Sequence, residues 1–377
     1  MDSSPKLLLL GSQMETGGAQ RLLLDQAYWF TSNGWQVIVA FLYDKEGLHE
    51  KWQSDASYPI INLEAKKSGK NAIINLLALI KGLSRLSGIM QSQHFDAIET
   101  FTHHANLIGL PLAWLYHIST RVGSHHGHIL GFSKYLEKIH AGVVNIFATH
   151  LVAVGQNVQK EAIKEGIRKD KITVISNGVN LTQTSSQITR KLRESIGCKN
   201  GMLVLTAGRM TYQKAQTFFL KAAAQVLPKH PATIFALAGD GPLRQELEEE
   251  AHLLGIADNV RFLGIRSDLL HLMAAADIFA LSSRWEGLPM VLLEAMGMGT
   301  VVISTRGASA EEVIRNHENG ELVEPENAEA LAIALDQLLS NNELRQQMAS
   351  AGQETILKGY TMHIMCQKYA KLLKPST

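Results

Sequence analysis

Glu286 and Glu294 stand with seven residues between them in SSRWEGLPMVLLEAMGMG, residues 282–299, where a polar turn runs into an apolar helical pattern. Proline suits the first position of a helix, where its fixed φ fits and its missing N–H has no partner to lose. Pro289 therefore predicts a helix start with Glu286 in the turn before it and Glu294 one to two turns inside. The unpaired N–H groups of a first helical turn sit at the positive end of the helix dipole and receive anions such as phosphate. Here those would be the groups near Gly287, Leu288, Pro289 and Met290, with Glu286 reaching a ligand beside the anion. A solvated helical glutamate is the competing reading of Glu294. A second charged set follows the apolar run MLVLTA: Gly208, Arg209 and Lys214 in GRMTYQKAQTF. Two cations at the carboxyl end of a strand, without an acid nearby in sequence, invite phosphate through charge-assisted hydrogen bonds. Solvated surface charge is the alternative.

The amino-terminal stretch offers a weaker version of the same arrangement. KLLLLGS reads as a strand buried on both faces and GGAQRLLLDQAYWFTSNG as the helix after it, so Gly17 and Gly18 allow a phosphate or sugar close to the backbone. The GxGxxG spacing of a dinucleotide site is absent, which sets a dehydrogenase aside. Four histidines, His103, His104, His125 and His126, fall near the expected carboxyl ends of two further strands. Open α/β sheets bind ligands at those ends, although a loop or core imidazole is the simpler reading of any one of them.

Strand-like runs alternate with helical ones throughout: 37–42, 58–63, 95–101 and 120–125, with helices over 71–90 and 105–117 among them, and the stretches 151–166 and 172–180 close the half with two more strands. That alternation predicts parallel α/β architecture. The polar segment 181–200 interrupts it, and the strand–turn–helix pattern restarts at residue 202, so the boundary between two α/β halves is expected near 182–186. At 377 residues the chain suits two domains facing across a cleft. Lys plus Arg (36) nearly balances Asp plus Glu (35), which argues against nucleic acid as a partner. The two cysteines, Cys198 and Cys366, lack metal-ligand spacing and fit a cytoplasmic protein. Leu7–Leu10 is too short for a signal-peptide core, and no run approaches the length needed to span a bilayer. Lys66, Lys67 and Lys70, ahead of an apolar helix, suit either an anionic membrane surface or the solvated start of a core-packed helix.

In order along the chain, ETGGAQR, NGVN, GRMTYQK, AGDGPLR, VRFLG, ADIFALSS and WEGLPMVLLEAM resemble the retaining GT-B glycosyltransferases of family four, the group 1 enzymes with an E-x7-E signature. The resemblance covers nearly the whole chain. It implies an α/β GT-B fold of two Rossmann-like, doubly wound parallel-sheet domains: 1–183 binding the acceptor, 184–358 binding the donor, and a final helix in 359–377 crossing back to the first. It also implies the sites. Glu286, Arg209, Lys214 and His126 would be catalytic, with His126 the better match to the family histidine and His125 the lesser one. The donor would lie against Gly17, Gly18, Gly208, Gly239, Gly264, Gly287, Leu288, Pro289, Met290 and Glu294, and His103, His104 and His125 would stand on the acceptor side. This chain has Ala215 where the family has glycine after the loop lysine, and Gly307-Ala308-Ser309 where a Gly-Gly pair is common.

The implied reaction carries a sugar from a nucleotide sugar, with UDP-linked favoured over GDP-linked, to a glycan or lipid-linked acceptor of the cell envelope, with the enzyme cytoplasmic or peripheral on the inner membrane face. No Asp-x-Asp run is present to hold a metal, so neither metal nor pyridoxal phosphate is expected and Arg209 and Lys214 would meet the diphosphate charge. Glu294 would hold the ribose and Glu286 the donor sugar, with front-face departure and attack; a Glu286 nucleophile is the alternative. A sugar phosphorylase, a nucleotide-sugar epimerase, or a binding protein without transfer activity are the competing functions on the same fold.

Overall fold

The computed structural model describes residues 4–67, 69–127, 133–307 and 309–374. The chain forms two units: residues up to Gly178 together with those from Met362 onward, and Val179–Thr361.

The first unit is built on seven strands, β1 (Lys6–Met14), β2 (Gln36–Asp44), β3 (Ile60–Asn62), β4 (Ala97–Phe101), β5 (Thr120–His125), β6 (His150–Ala153) and β7 (Ile172–Val174). They pair in the order β3-β2-β1-β4-β5-β6-β7, every neighbour parallel. Leu7 to Leu10 have no exposed surface, because the connecting helices cover both faces of the sheet. The last helix, Met362–Leu373, belongs to this unit. It packs against the helix Gly18–Ser32, where Trp29 Nε1 lies 3.3 Å from His363 Nδ1. Its buried Tyr369 lies against Glu99 of β4, itself fully buried and 2.5 Å from Gln26 Nε2.

The second unit repeats the plan with six strands, β8 (Leu203–Ala207), β9 (Ile234–Ala238), β10 (Val260–Gly264), β11 (Ile278–Leu281), β12 (Val301–Thr305) and β13 (Glu321–Val323). Their order is β10-β9-β8-β11-β12-β13, again all parallel. Phe219, Phe235 and Leu335 fill the core on one face. In each sheet the chain starts at the centre, winds to one edge, then returns to wind the other way. The loops leaving β1 and β4, and those leaving β8 and β11, therefore diverge at a switch point, where open α/β sheets leave a ligand crevice.

Two local expectations need correcting. Pro289 (φ −72°, ψ 117°) sits one residue before the helix Met290–Gly297, so its extended ψ caps the helix and does not begin it. The apolar run after Lys70 is one helix of 22 residues, Ala72–Gln93, long and apolar enough by length and composition to cross a membrane. Lys81 and Arg85 break the run in sequence, yet the helix buries only the stripe Ala78, Gly82, Leu86 and Met90. Ile73, Leu76, Leu77 and Ile80, 56–71% exposed, stand on the remaining surface.

Candidate functional site

At the switch point of the second sheet, the loop after β8 meets the loop after β11. Lys214 Nζ lies 2.5 Å from Glu286 Oε1, and Ser283 Oγ donates to the same oxygen at 2.7 Å. The pair is mostly sheltered, with 17% and 10% of the two side chains exposed. Backbone and side-chain bonds tie the loops together: Arg284 N–H to the Gln213 carbonyl at 2.8 Å, Gln213 Nε2 to the Trp285 carbonyl at 2.9 Å, and Ser282 Oγ to the Lys214 carbonyl at 3.1 Å. The Arg284 guanidinium stacks over the Tyr212 ring, 3.7 Å from its centroid. These contacts hold a lysine and a glutamate from distant parts of the sequence in one geometry. Arg209, in the same loop, is exposed.

Gly208, Gly239 and Gly264 end β8, β9 and β10 side by side, with Gly208 N–H bonded to the Ala238 carbonyl (2.9 Å) and Gly239 N–H to the Gly264 carbonyl (2.7 Å). A Cβ on Gly239 would sit 2.1 Å from the Gly208 carbonyl oxygen, so the backbones touch only because no side chain intervenes. Ala215 adopts φ 51°, ψ 40°, a left-handed conformation just before the helix Gln216–Val226. That is the reason glycine suits this position, since an L side chain there is strained. Met290 opens the helix that follows Glu286, and Gly287 and the buried Leu288 and Pro289 form the turn between them. Glu294 is the fifth residue of this helix and is 3% exposed. A carboxylate so sheltered is not the solvated helical glutamate of the simpler reading. Ala308 lies outside the described residues.

In the first unit, Gly17 caps the helix Gly18–Ser32 in extended conformation, and a Cβ there would meet the Gln20 side chain at 2.7 Å. Of the four histidines, His104 is exposed, whereas His103 and His125 are buried, 2% and 0% exposed. Their rings cannot touch an acceptor in this conformation; they pack against His140 and Glu165, which the sequence reading passed over. The sequence signal available was only an interior histidine in an amphipathic helix. His126 is partly exposed, stacks on Phe101 at 5.6 Å and lies 2.9 Å from Ser124 Oγ through Nε2. Burial, then the neighbouring His125 and His103, push its pKa down to about 3. At neutral pH it is an uncharged hydrogen-bonding group. His104 is lowered by partial burial and by Lys66.

Residues 16–183 match the family model described as Glycosyltransferase Family 4, and residues 189–355 the one described as Glycosyl transferases group 1. The lipopolysaccharide core biosynthesis glycosyltransferase LpsE of Rhizobium meliloti is 34% identical over 171 residues, 45% of this chain and 49% of that protein, so this match spans about half its length. The UDP-Gal:alpha-D-GlcNAc-diphosphoundecaprenol alpha-1,3-galactosyltransferase of Escherichia coli is 27% identical over 301 residues, 77% of this chain and 78% of that one. Among solved structures, Anabaena Alr3699/HepE in complex with UDP-glucose superposes with a TM-score of 0.85 at 25% identity, covering 98% of this chain and 99% of that one.

Proposed function

Because this chain belongs to the group 1 glycosyltransferases and has the GT-B fold, we propose that it transfers a sugar, with retention, from a UDP-sugar in preference to a GDP-sugar. The acceptor is a glycan or lipid-linked glycan of cell-envelope polysaccharide or lipopolysaccharide synthesis. The relatives' names support the acceptor class, and the UDP-glucose bound to the Anabaena protein supports the donor. The observation that carries the reading is the Lys214–Glu286 pair at the switch point of the second sheet, beside the exposed Arg209 and the bare backbone of Gly208, Gly239 and Gly264.

In the proposed reaction the bond from the sugar's anomeric carbon to the β-phosphate oxygen breaks, and the acceptor oxygen bonds to that carbon on the same face. The acceptor proton passes to the leaving phosphate. Lys214 exchanges Glu286 for the diphosphate and acts with Arg209. Each charge-assisted hydrogen bond contributes about 1.5–3 kcal/mol, against roughly 0.3–1 for the dipole of the helix starting at Met290. Loss of either cation should lower turnover on the order of 10²–10³. Released from Lys214, Glu286 accepts from the sugar hydroxyls, with Ser283 holding the carboxylate in position. Glu294 accepts from the ribose hydroxyls. No residue role in this scheme calls for a metal.

The first unit would supply the acceptor side through the exposed His104 and the neutral His126, and Gly17 and Gly18 would leave its backbone open to a ligand. His103 and His125 act there only through their neighbours. The apolar surface of the helix Ala72–Gln93, with Lys66, Lys67 and Lys70 ahead of it, is proposed to rest on an anionic bilayer where a lipid-linked acceptor would be presented. Co-sedimentation with anionic vesicles should fall when the three lysines become glutamate; unchanged binding would refute the contact.

The proposal is tested by titrating UDP-, GDP- and ADP-sugars calorimetrically, then assaying the binder with lipid-linked and core-oligosaccharide acceptors and reading the product anomer by NMR. Binding of a UDP-sugar and a product of unchanged anomeric configuration are expected. An inverted product, or no nucleotide-sugar binding, would overturn it.

A further inference from the structure

Behind the strand ends of the first sheet lies a buried cluster that the proposed transfer reaction does not use. His103 comes from the first turn of the helix Thr102–Leu115, His125 ends β5, His140 lies in the helix Lys134–Phe147, and Glu165 follows the helix Gln156–Lys164. The three imidazoles have 3%, 0% and 0% of their side chains exposed, and the carboxylate 11%. One Glu165 oxygen is the common focus. Oε2 stands 3.9 Å from His103 Nε2, 3.2 Å from His125 Nε2 and 4.0 Å from His140 Nδ1. The ligand atoms of His103, His140 and Glu165 all lie within 4.8 Å of one another.

The roles within the cluster can be separated by their hydrogen bonds. Gly127 N–H donates to His125 Nδ1 at 3.2 Å, so His125 carries its proton on Nε2 and donates it to Glu165. That is the outer-shell role of orienting a ligating carboxylate. His140 Nδ1 is fully buried and has no hydrogen-bond partner, yet it faces Glu165. A buried nitrogen left in that state is costly whether it carries a proton or a lone pair. On its other side, His140 Nε2 is 2.9 Å from the Asn106 amide, whose other terminal atom is 2.6 Å from Thr100 Oγ1. Exchanging the amide's oxygen and nitrogen lets Asn106 accept from Nε2–H, with Thr100 accepting in turn and donating to the Val122 carbonyl at 3.3 Å. The exchange gives up a 3.3 Å bond to the Ser124 carbonyl. It leaves Nδ1 unprotonated, as a metal ligand requires.

We propose that His103 Nε2, His140 Nδ1 and Glu165 Oε2 bind a zinc ion, a water molecule completing its four-coordination, with His125 and Asn106 as the supporting shell. Two imidazoles and a carboxylate suit Zn²⁺. Tetrahedral zinc with bonds of about 2.0–2.2 Å sets its ligand atoms roughly 3.3–3.6 Å apart, so the two separations from Glu165, 3.9 and 4.0 Å, need close by about half an ångström, and the two imidazole nitrogens, within 4.8 Å of each other, by at most about 1.5 Å. The ion would offset the carboxylate charge of Glu165. It also ties three helical segments together behind the ends of β4 and β5. The site shares no residue with the proposed donor site and does not depend on the transfer reaction proposed above.

The test uses the full chain. It is exposed to excess zinc, dialysed against metal-free buffer and analysed for bound metal; a second sample, stripped with a chelator, is refilled with Co²⁺ and its visible spectrum recorded. One zinc per chain and the strong ligand-field bands of four-coordinate cobalt are expected, with a melting temperature that zinc raises. His140→Gln and Glu165→Gln should each cut bound zinc to under about a tenth per chain and remove the zinc-dependent part of the melting temperature. If either variant fails to fold, the unsubstituted chain still decides. Wild-type protein that retains no stoichiometric zinc, or gives only the weak spectrum of six-coordinate cobalt, overturns the proposal.

Discussion

Replacing Glu286 by alanine should separate nucleotide binding from transfer in an unusual direction. In the ligand-free protein Lys214 is held by Glu286 at 2.5 Å, with only 17% and 10% of the two side chains exposed. Exposed ion pairs contribute about 0.2–1 kcal/mol, and breaking a fully buried one costs about 3–5. A sheltered pair open on one side falls between, at roughly 1–2 kcal/mol after screening. On the proposed mechanism Lys214 must give up that interaction to reach the diphosphate. Without Glu286 it is already available, so UDP should bind about 5–30-fold tighter. The intact UDP-sugar gains the same amount but loses its hydroxyl contacts to the carboxylate, leaving its affinity within a few-fold of wild type. Turnover should fall on the order of 10²–10³. Calorimetry with UDP and with the UDP-sugar at one ionic strength, alongside a transfer assay, reads all three quantities. UDP binding weakened tenfold, or turnover kept near wild type, would refute the exchange of Lys214 between glutamate and phosphate.

Glu294→Ala should mainly weaken nucleotide binding, on the order of 10²-fold for two hydrogen bonds to a charged acceptor, with kcat at saturation little changed; a kcat loss without a binding loss would remove it from the ribose. Glu99 carries a pH prediction. Burial raises its pKa to about 8, against the lowering effect of hydrogen bonds with Gln26 and Tyr369. The folded chain therefore holds a proton that the unfolded chain releases near the ordinary value of 4.5, and stability falls as pH rises from there through about 8. Glu99→Gln should remove that slope, raising the unfolding free energy at pH 9 relative to that at pH 5 by on the order of 4 kcal/mol; parallel pH profiles of wild type and variant in chemical denaturation would contradict it. Ala215→Gly relieves about 1–2 kcal/mol of left-handed strain, offset by about 0.4–1 from chain entropy and about 0.8 for the buried methyl. Chemical denaturation should place that variant within about 1 kcal/mol of wild type. Transfer in excess chelator should need no Mg²⁺ or Mn²⁺; rescue by either would sink the cationic-loop mechanism, whereas a melting-temperature drop reversed by zinc alone belongs to the histidine cluster.

The parallel α/β organisation was legible because each strand buried on both faces leaves a continuous apolar run, as in Leu7–Leu10 and Leu203–Ala207, and each crossover helix restores a 3.6-residue period. That Arg209 and Lys214 follow one such run and Glu286 another was likewise legible. The surface of Ala72–Gln93 was not, since Lys81 and Arg85 hide its apolar length until the helix shows which stripe is buried. Nor were Gln213, whose role comes from a loop-to-loop contact across roughly seventy residues, and Ser283, whose hydroxyl meets Glu286 three residues on only in the folded turn.

By itself, then, the sequence determined which residues end up at strand ends, because burial period and turn chemistry are local properties written in neighbouring residues. What only the tertiary structure decided is which of those residues meet. Strand order sets Lys214 against Glu286 at the switch point of one sheet, and in the other it sends His103 and His125 inward to His140 and Glu165 while His104 stays outside. Two adjacent histidines of the same type meet different surroundings because one helical step turns the side chain by about 100°, here from the core to the solvent.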